Sequence, residues 1–153
     1  MIKKTLIYLF LYLIFSVKSF ALIEVDITRG NLDPLPIAIS PLHVDIKSEN
    51  FKDLKIKELG SNISKIIEKN FKNTGLFNPL KKDAFVQKPD IAHLKPRFED
   101  WKLIKAQALI TGKVSYENEK LRVEFRLWDI LAGREMMALA FTTVSTNWRR
   151  VGH

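Results

Sequence analysis

Residues 71–80, FKNTGLFNPL, mark a change from a helical to an extended pattern, and this change constrains the fold more than any other stretch. Upstream, apolar residues recur at three- and four-residue spacings, which places them on one helix face. They are Leu59, Ile63, Ile66, Ile67 and Phe71. Gly75 suits the left-handed residue past a helix end, and Pro79 disfavours helical geometry at the residue before it. The pattern predicts a helix from about Asn50 to Asn73, then a tight turn and a strand.

The first 21 residues have the pattern of a secretory signal peptide. Lys3 and Lys4 precede an apolar run over residues 6–15, and the segment closes with Ser-Phe-Ala. Polar residues end the run before it reaches the roughly 20 residues that a membrane-spanning helix needs. We therefore expect export with cleavage between Ala21 and Leu22, and the alternative is an uncleaved membrane anchor.

Composition agrees with one small exported domain. Removing the signal leaves 132 residues, a normal size for a single core. Three lysines lie in the signal, so the formal charge of +8 becomes +5 without it. The chain has no cysteine, which excludes disulfides, a lipid-modified N-terminal cysteine, a thiol nucleophile and the common structural zinc sites.

The segment after the predicted cleavage site alternates apolar and polar side chains. Residues 22–30 read LIEVDITRG, and this period of two is typical of a half-buried strand. One interpretation is an ordinary first strand of the sheet. The other is a detachable arm, over residues 22–33, that adds itself to the edge of a partner's sheet. Both interpretations stay open at this point.

The remainder, residues 34–153, predicts a single α+β domain. Strands are expected over residues 36–40, 77–80, 109–114, 121–128 and 137–144, with a short helix over 97–105 and hairpin turns at 118–119 and 131–135. In residues 121–128 the pattern predicts a strand with one solvent-exposed face, and Trp128 is on that face. The fold class is therefore an antiparallel or mixed sheet with helices packed on one face. A last helix is expected to begin near Trp148, and because it would be too short to be stable alone, we expect a fragment of a longer protein.

We find no residues that predict catalysis, a cofactor or a metal. Phosphate-binding, nucleophile-elbow and zincin motifs do not occur. His43, His93 and His153 are far apart in sequence and lack ligand spacing. Asp129 stands at a strand end, where a turn-forming role is favoured over a catalytic acid. The chain is expected not to be an enzyme and to have no small-molecule substrate.

Several of these motifs, taken in order, resemble one family. They are the signal peptide, LIEVDITRG, PIAIS, FKNTGLFNPL, ALITGKV, LRVEFRLWDILAG and RRVGH. Together they resemble the N-terminal domain of TolB, the periplasmic component of the Tol-Pal envelope system, whose members continue into a β-propeller. The topology that this implies is similar to that of anticodon-binding domains. The resemblance covers essentially all of the chain but only about the first third of a TolB.

The resemblance implies a non-enzymatic periplasmic scaffold that supports outer-membrane integrity and constriction at cell division. It implies that the arm binds the inner-membrane protein TolA, with contacts from Leu22, Ile23, Glu24, Val25, Asp26 and Ile27. A Pal-like lipoprotein would bind the propeller, if present, and colicins are further partners in the family. Whether this chain is a truncated gene, a split gene or a partial sequence stays open.

Two other functional classes fit parts of the sequence. A small basic α+β domain resembling the anticodon-binding modules of some tRNA synthetases would bind nucleic acid through phosphate contacts, but export argues against this. A stand-alone periplasmic enzyme would depend on Asp129.

Overall fold

The alternating pattern of residues 121–128 forms a strand near the middle of a mixed β-sheet. The computed structural model describes residues 33–45, 58–117 and 120–153. In chain order its elements are β1 (Leu35–Ile39), β2 (His43–Asp45), α1 (Leu59–Asn73), β3 (Phe77–Pro79), a 3₁₀ helix (Lys82–Ala84), α2 (Pro89–Ala92), α3 (Phe98–Leu103), β4 (Ala108–Glu117), β5 (Lys120–Asp129), β6 (Arg134–Val144) and a C-terminal 3₁₀ helix (Ser145–Gly152). The predicted turn at residues 118–119 and the predicted helix start at Asn50 lie outside the described residues.

The sheet combines parallel and antiparallel pairing. Its strand order is β3-β1-β4-β5-β6, and β2 also pairs with β4. β1 is parallel to both β3 and β4, and β2 is parallel to β4 further along the same strand. β4, β5 and β6 are successive antiparallel neighbours. The α+β prediction of a mixed sheet with helices is therefore confirmed.

The corner predicted at residues 71–80 forms as expected. α1 ends at Asn73, and Gly75 has a φ of +71°, in the left-handed region where glycine has no side chain to clash. Thr74 Oγ1 donates to the carbonyl of Phe71 at 2.7 Å and accepts the N–H of Leu76 at 3.2 Å. These bonds turn the chain directly into β3, which pairs with β1.

Two apolar clusters lie on opposite faces of the sheet. The first joins the sheet to α1 and contains Ile37, Ile39, Leu42, Leu59, Ile63, Ile67, Ile110, Val114, Leu121 and Val123. The C-terminal 3₁₀ helix packs on the same face, through the partly buried Trp148 and Val151. The second cluster contains Ala38, Ala92, Trp101, Ala106, Leu109, Trp128 and Ile130. Thus α1 and the C-terminal 3₁₀ helix share one face, and the short helices α2 and α3 contribute to the other.

Three local predictions are corrected by the structure. Trp128 is buried in the second cluster rather than wet, because its ring packs with Phe98 and its Nε1 donates to Thr111 Oγ1. Residues 43–45 form a strand that was not among the predicted ones. The terminal helix begins at Ser145, earlier than predicted, and is a 3₁₀ helix.

Candidate functional site: an apolar groove beside an edge strand

The partner-binding residues predicted from sequence lie outside the described part of the chain. These are Leu22, Ile23, Glu24, Val25, Asp26 and Ile27, together with the cleavage residue Ala21. The candidate site in the described residues is instead a surface that no sequence motif indicates.

An apolar groove runs between the end of α1, the C-terminal 3₁₀ helix and the outer strands of the sheet. Its volume is about 260 Å³. Apolar side chains dominate its lining, namely Ile67, Phe71, Ile110, Phe125, Leu127, Met137, Leu139, Phe141 and Val151. Alternation places those from β5 and β6 on the α1 face, since Phe125 pairs with Leu139 and Leu127 with Met137.

The outer wall of the groove is β6, the edge strand of the sheet. Nearly every residue of β6 is exposed, and Leu139 and Phe141 retain 48% and 45% of their surface. No charged residue occurs between Glu135 and Val144. Edge strands usually carry charges or prolines that block further pairing. Within the described part of the chain, β6 instead presents an uncharged backbone edge with no strand paired to its outer side, beside an apolar surface.

The C-terminal residues close one end of the groove. Asn70 Nδ2 donates to the carbonyl of Gly152 at 3.0 Å. A Cβ added at Gly152 would lie 2.9 Å from the side chain of Ile66, so the two segments approach closely. The side chains of Leu139 and Phe141 in β6 remain about half exposed beside this segment.

A smaller polar cavity of about 180 Å³ lies on the opposite face. Lys113, Glu124 and Arg126 line it together with His93. Arg122 Nε donates to Glu124 Oε1 at 2.9 Å, and this bond holds the pKa of Glu124 below its ordinary value of 4.5. Burial of Glu124 opposes that shift, while the positive charges of Lys113, Arg122 and Arg126 add to it.

The described residues do not assemble a recognisable metal centre. Across residues 33–45, 58–117 and 120–153, no three His, Asp or Glu side chains are grouped so as to hold a metal ion. Asp129 Oδ1 accepts the N–H of Ala132 at 2.9 Å. This bond gives Asp129 the turn-forming role that the sequence favoured.

Chemically, the groove can contribute apolar contact and backbone hydrogen bonds. An open strand edge can pair with an added strand, and an apolar groove can take alternate side chains of that strand. In the described part of the chain, no helix is long and apolar enough to cross a bilayer.

The sequence match decides the family. Residues 23–136 match the family described as the TolB amino-terminal domain. The chain belongs to this family. It is 70% identical over 149 residues to the Tol-Pal system protein TolB of Pelagibacter ubique (strain HTCC1062). That match takes in 95% of this chain and 33% of the relative, so the chain spans about a third of the length of that TolB.

Solved structures agree with the fold of a TolB amino-terminal domain. TolB from Acinetobacter baumannii superimposes with a TM-score of 0.60 at 16% identity, over 80% of this chain and 26% of that one. The C-terminal domain of LpoB from Escherichia coli superimposes with a TM-score of 0.53 at 7% identity, over 76% of this chain and 87% of that one. At these identities the likeness concerns the fold alone.

Proposed function

We propose that this chain is a non-enzymatic periplasmic component of the Tol-Pal system that binds a TolA-like inner-membrane protein through residues 22–33. The observation that carries the proposal is the family match together with 70% identity to a Tol-Pal system protein TolB. Through this contact the chain would support outer-membrane integrity and constriction during cell division.

The alternating pattern of the arm supports the mode of binding. Ile23, Val25 and Ile27 would lie on one side of an extended segment, and Glu24 and Asp26 on the other. An added strand gains affinity from its backbone hydrogen bonds and specificity from alternate side chains. Leu22 to Ile27 are therefore the proposed contacts.

We assign no residues of this chain to the other partners of the Tol-Pal system. The resemblance assigns binding of a Pal-like lipoprotein to a propeller domain, so we assign no Pal contact to residues 1–153. Colicin binding is likewise implied only by the family resemblance, and we assign it to no residue of this chain. We propose no nucleic-acid partner.

A pull-down on the periplasmic part of a TolA-like protein tests the proposal. The wild-type chain should be retained, and deletion of residues 22–33 should abolish retention while the circular dichroism of the domain is unchanged. A double variant, Ile23→Ser with Val25→Ser, should weaken retention, whereas Lys65→Ala on the exposed side of α1 should not. Equal retention of the wild type and the deletion variant would refute the proposal.

A further inference from the structure

Two histidines distant in sequence stack against each other beside the polar cavity. His43 lies in β2 and His93 directly follows α2. Their rings are nearly parallel, with 6° between the planes and 4.4 Å between the centroids. We call this pair the histidine stack. It joins the short helix to the strand by a side-chain contact that sequence spacing did not predict.

Each ring is held in place from its own side. His43 is fixed through β2, where it is the register partner of Lys113 in β4. His93 Nδ1 lies 3.0 Å from the carbonyl oxygen of Pro89. Because a carbonyl oxygen only accepts hydrogen bonds, Nδ1 carries the proton and Nε2 is the nitrogen free to take up another. Beside it, Ala92 is fully buried in the second cluster.

Charged groups surround the stack from every element that packs near it. Asp45 comes from β2, Asp90 from α2 and Lys113 from β4, with Lys113 Nζ 3.9 Å from Asp45 Oδ2. Glu124 and Arg126 of β5 line the cavity beside His93. Among the described residues, positive and negative groups are thus mixed around the stack, and the two acids, Asp45 and Asp90, are outweighed at His43 by burial and by the charge of His93.

We propose that the histidine stack is a pH-sensitive latch, which holds α2 against β2 while the rings are neutral and releases it when both are protonated. Two positive rings at this separation repel each other, whereas neutral rings pack favourably. Release would widen the cavity lined by His93, Lys113 and Glu124. The latch depends only on residues of the folded domain and not on the proposed TolA contact.

The direction of the pH effect follows from proton linkage. Burial is the main cause that lowers the pKa of His43 below its ordinary value of 6.5, and the neighbouring His93 lowers it further; Asp45 and Asp90 oppose the shift and Lys113 adds to it. A group with a lowered pKa in the closed state binds its proton more tightly in the open state. Opening is therefore favoured as the pH falls below 6.5.

Amide hydrogen exchange on the full chain tests the latch. The probes are the N–H groups of Ile91, Ala92 and His93, which donate to the carbonyls of Lys88, at the start of α2, and of Pro89. Between pH 7.5 and pH 5.0, and after correction for intrinsic exchange, their protection should fall by clearly more than about twofold, because opening takes up protons as the pH falls. Protection of β4 and β5 amides should change by less than about twofold if opening is local.

Three variants distinguish release of α2 by the histidine stack from a general loss of stability at acidic pH. His43→Phe keeps an aromatic ring but cannot be protonated, so the fall in α2 protection should shrink to less than about twofold. His93→Phe tests the same contact from the other side, should His43→Phe fail to fold. His153→Gln removes a histidine outside the stack and should behave as the wild type.

Several results would overturn the latch. A fall that persists undiminished in both Phe variants would show that the stack does not control α2. An equal fall in β4 and β5 would show global loss of structure instead of local release. In an NMR titration of the histidine Cε1–H signals, a His43 midpoint at or above 6.5 would remove its physical basis.

Discussion

Trp128 Nε1 donates a 2.8 Å hydrogen bond to Thr111 Oγ1 between the neighbouring strands β5 and β4. Both side chains are buried, and the indole ring also packs edge-on with Phe98 of α3. Because the bond satisfies the indole N–H, Trp128 can be buried in the second cluster. It therefore ties α3 and the two central strands into one packed layer.

Thr111→Val should destabilise the domain by about 1–3 kcal/mol, because it leaves the buried indole N–H without an acceptor. Thr142→Val is the matched control, since Thr142 lies on exposed β6, and its effect should stay within about 0.5 kcal/mol. Urea unfolding followed by tryptophan fluorescence gives both values. Equal effects of the two variants would show that the bond does not stabilise the fold.

Gly60→Ala should destabilise the domain, although alanine normally improves a helix by about 1 kcal/mol over glycine. Gly60 is buried near the start of α1, and an added Cβ would lie 2.0 Å from the carbonyl oxygen of Leu42. Shifting the backbone to relieve this clash should cost about 1–3 kcal/mol.

Thermal unfolding of Gly60→Ala, with Lys65→Ala as the control, measures this loss of stability. Lys65 is exposed in the same helix, so its substitution should change stability by no more than about 0.5 kcal/mol. A rise in melting temperature for Gly60→Ala would contradict the close approach of α1 to the segment after β1.

How far the sequence predicts the fold depends on whether a feature is local. The end of α1 and the turn at Gly75 were predictable because periodicity and glycine geometry act over a few residues. β5 was predictable in position, and Trp128 lies on the predicted face, but at Trp128 that face is buried instead of exposed to solvent. Its burial depends on Phe98 of α3, which lies 30 residues earlier in the sequence, and a local pattern holds no information on that contact.

The two surface sites likewise depend on contacts between residues distant in sequence. The uncharged sequence of residues 136–144 predicts an ordinary strand, and only the sheet order shows that β6 is an edge strand. His43 and His93 have no motif spacing, so their stacking depends on tertiary structure alone. The predicted arm over residues 22–33 stays a prediction, because it lies outside the described residues.

Leu139→Thr should leave stability within about 0.5 kcal/mol of the wild type, since Leu139 is already half exposed on the groove wall. Val123→Thr, on the adjacent strand and the same face but fully buried, should cost about 1–3 kcal/mol. Binding of a hydrophobic dye should fall only for Leu139→Thr. Similar stability losses in both variants would mean that the groove is closed in solution.

Arg122→Gln should raise the pKa of Glu124 towards its ordinary value of 4.5, because the hydrogen bond from Arg122 is the largest cause of its lowering. A lowered pKa contributes stability above pH 4.5 that is lost as the pH falls through the folded-state value. The variant should therefore lose less stability than the wild type on acidification below pH 4.5.

NMR titration of the Glu124 carboxylate tests this directly, with Arg150→Gln as the control. Arg150 is exposed in the C-terminal 3₁₀ helix and is not among the groups that shift Glu124. The account is contradicted if Glu124 titrates at the same pH in the wild type and in Arg122→Gln.

The most direct measurement is calorimetric titration of a synthetic peptide of residues 22–33 into the periplasmic part of a TolA-like protein. We expect saturable binding by the native peptide, competition by the full chain, and no binding by a scrambled peptide of the same composition. Binding by the full chain with none by the native peptide would contradict the assignment of the contact to the arm, and absence of binding by both would contradict the proposed partner.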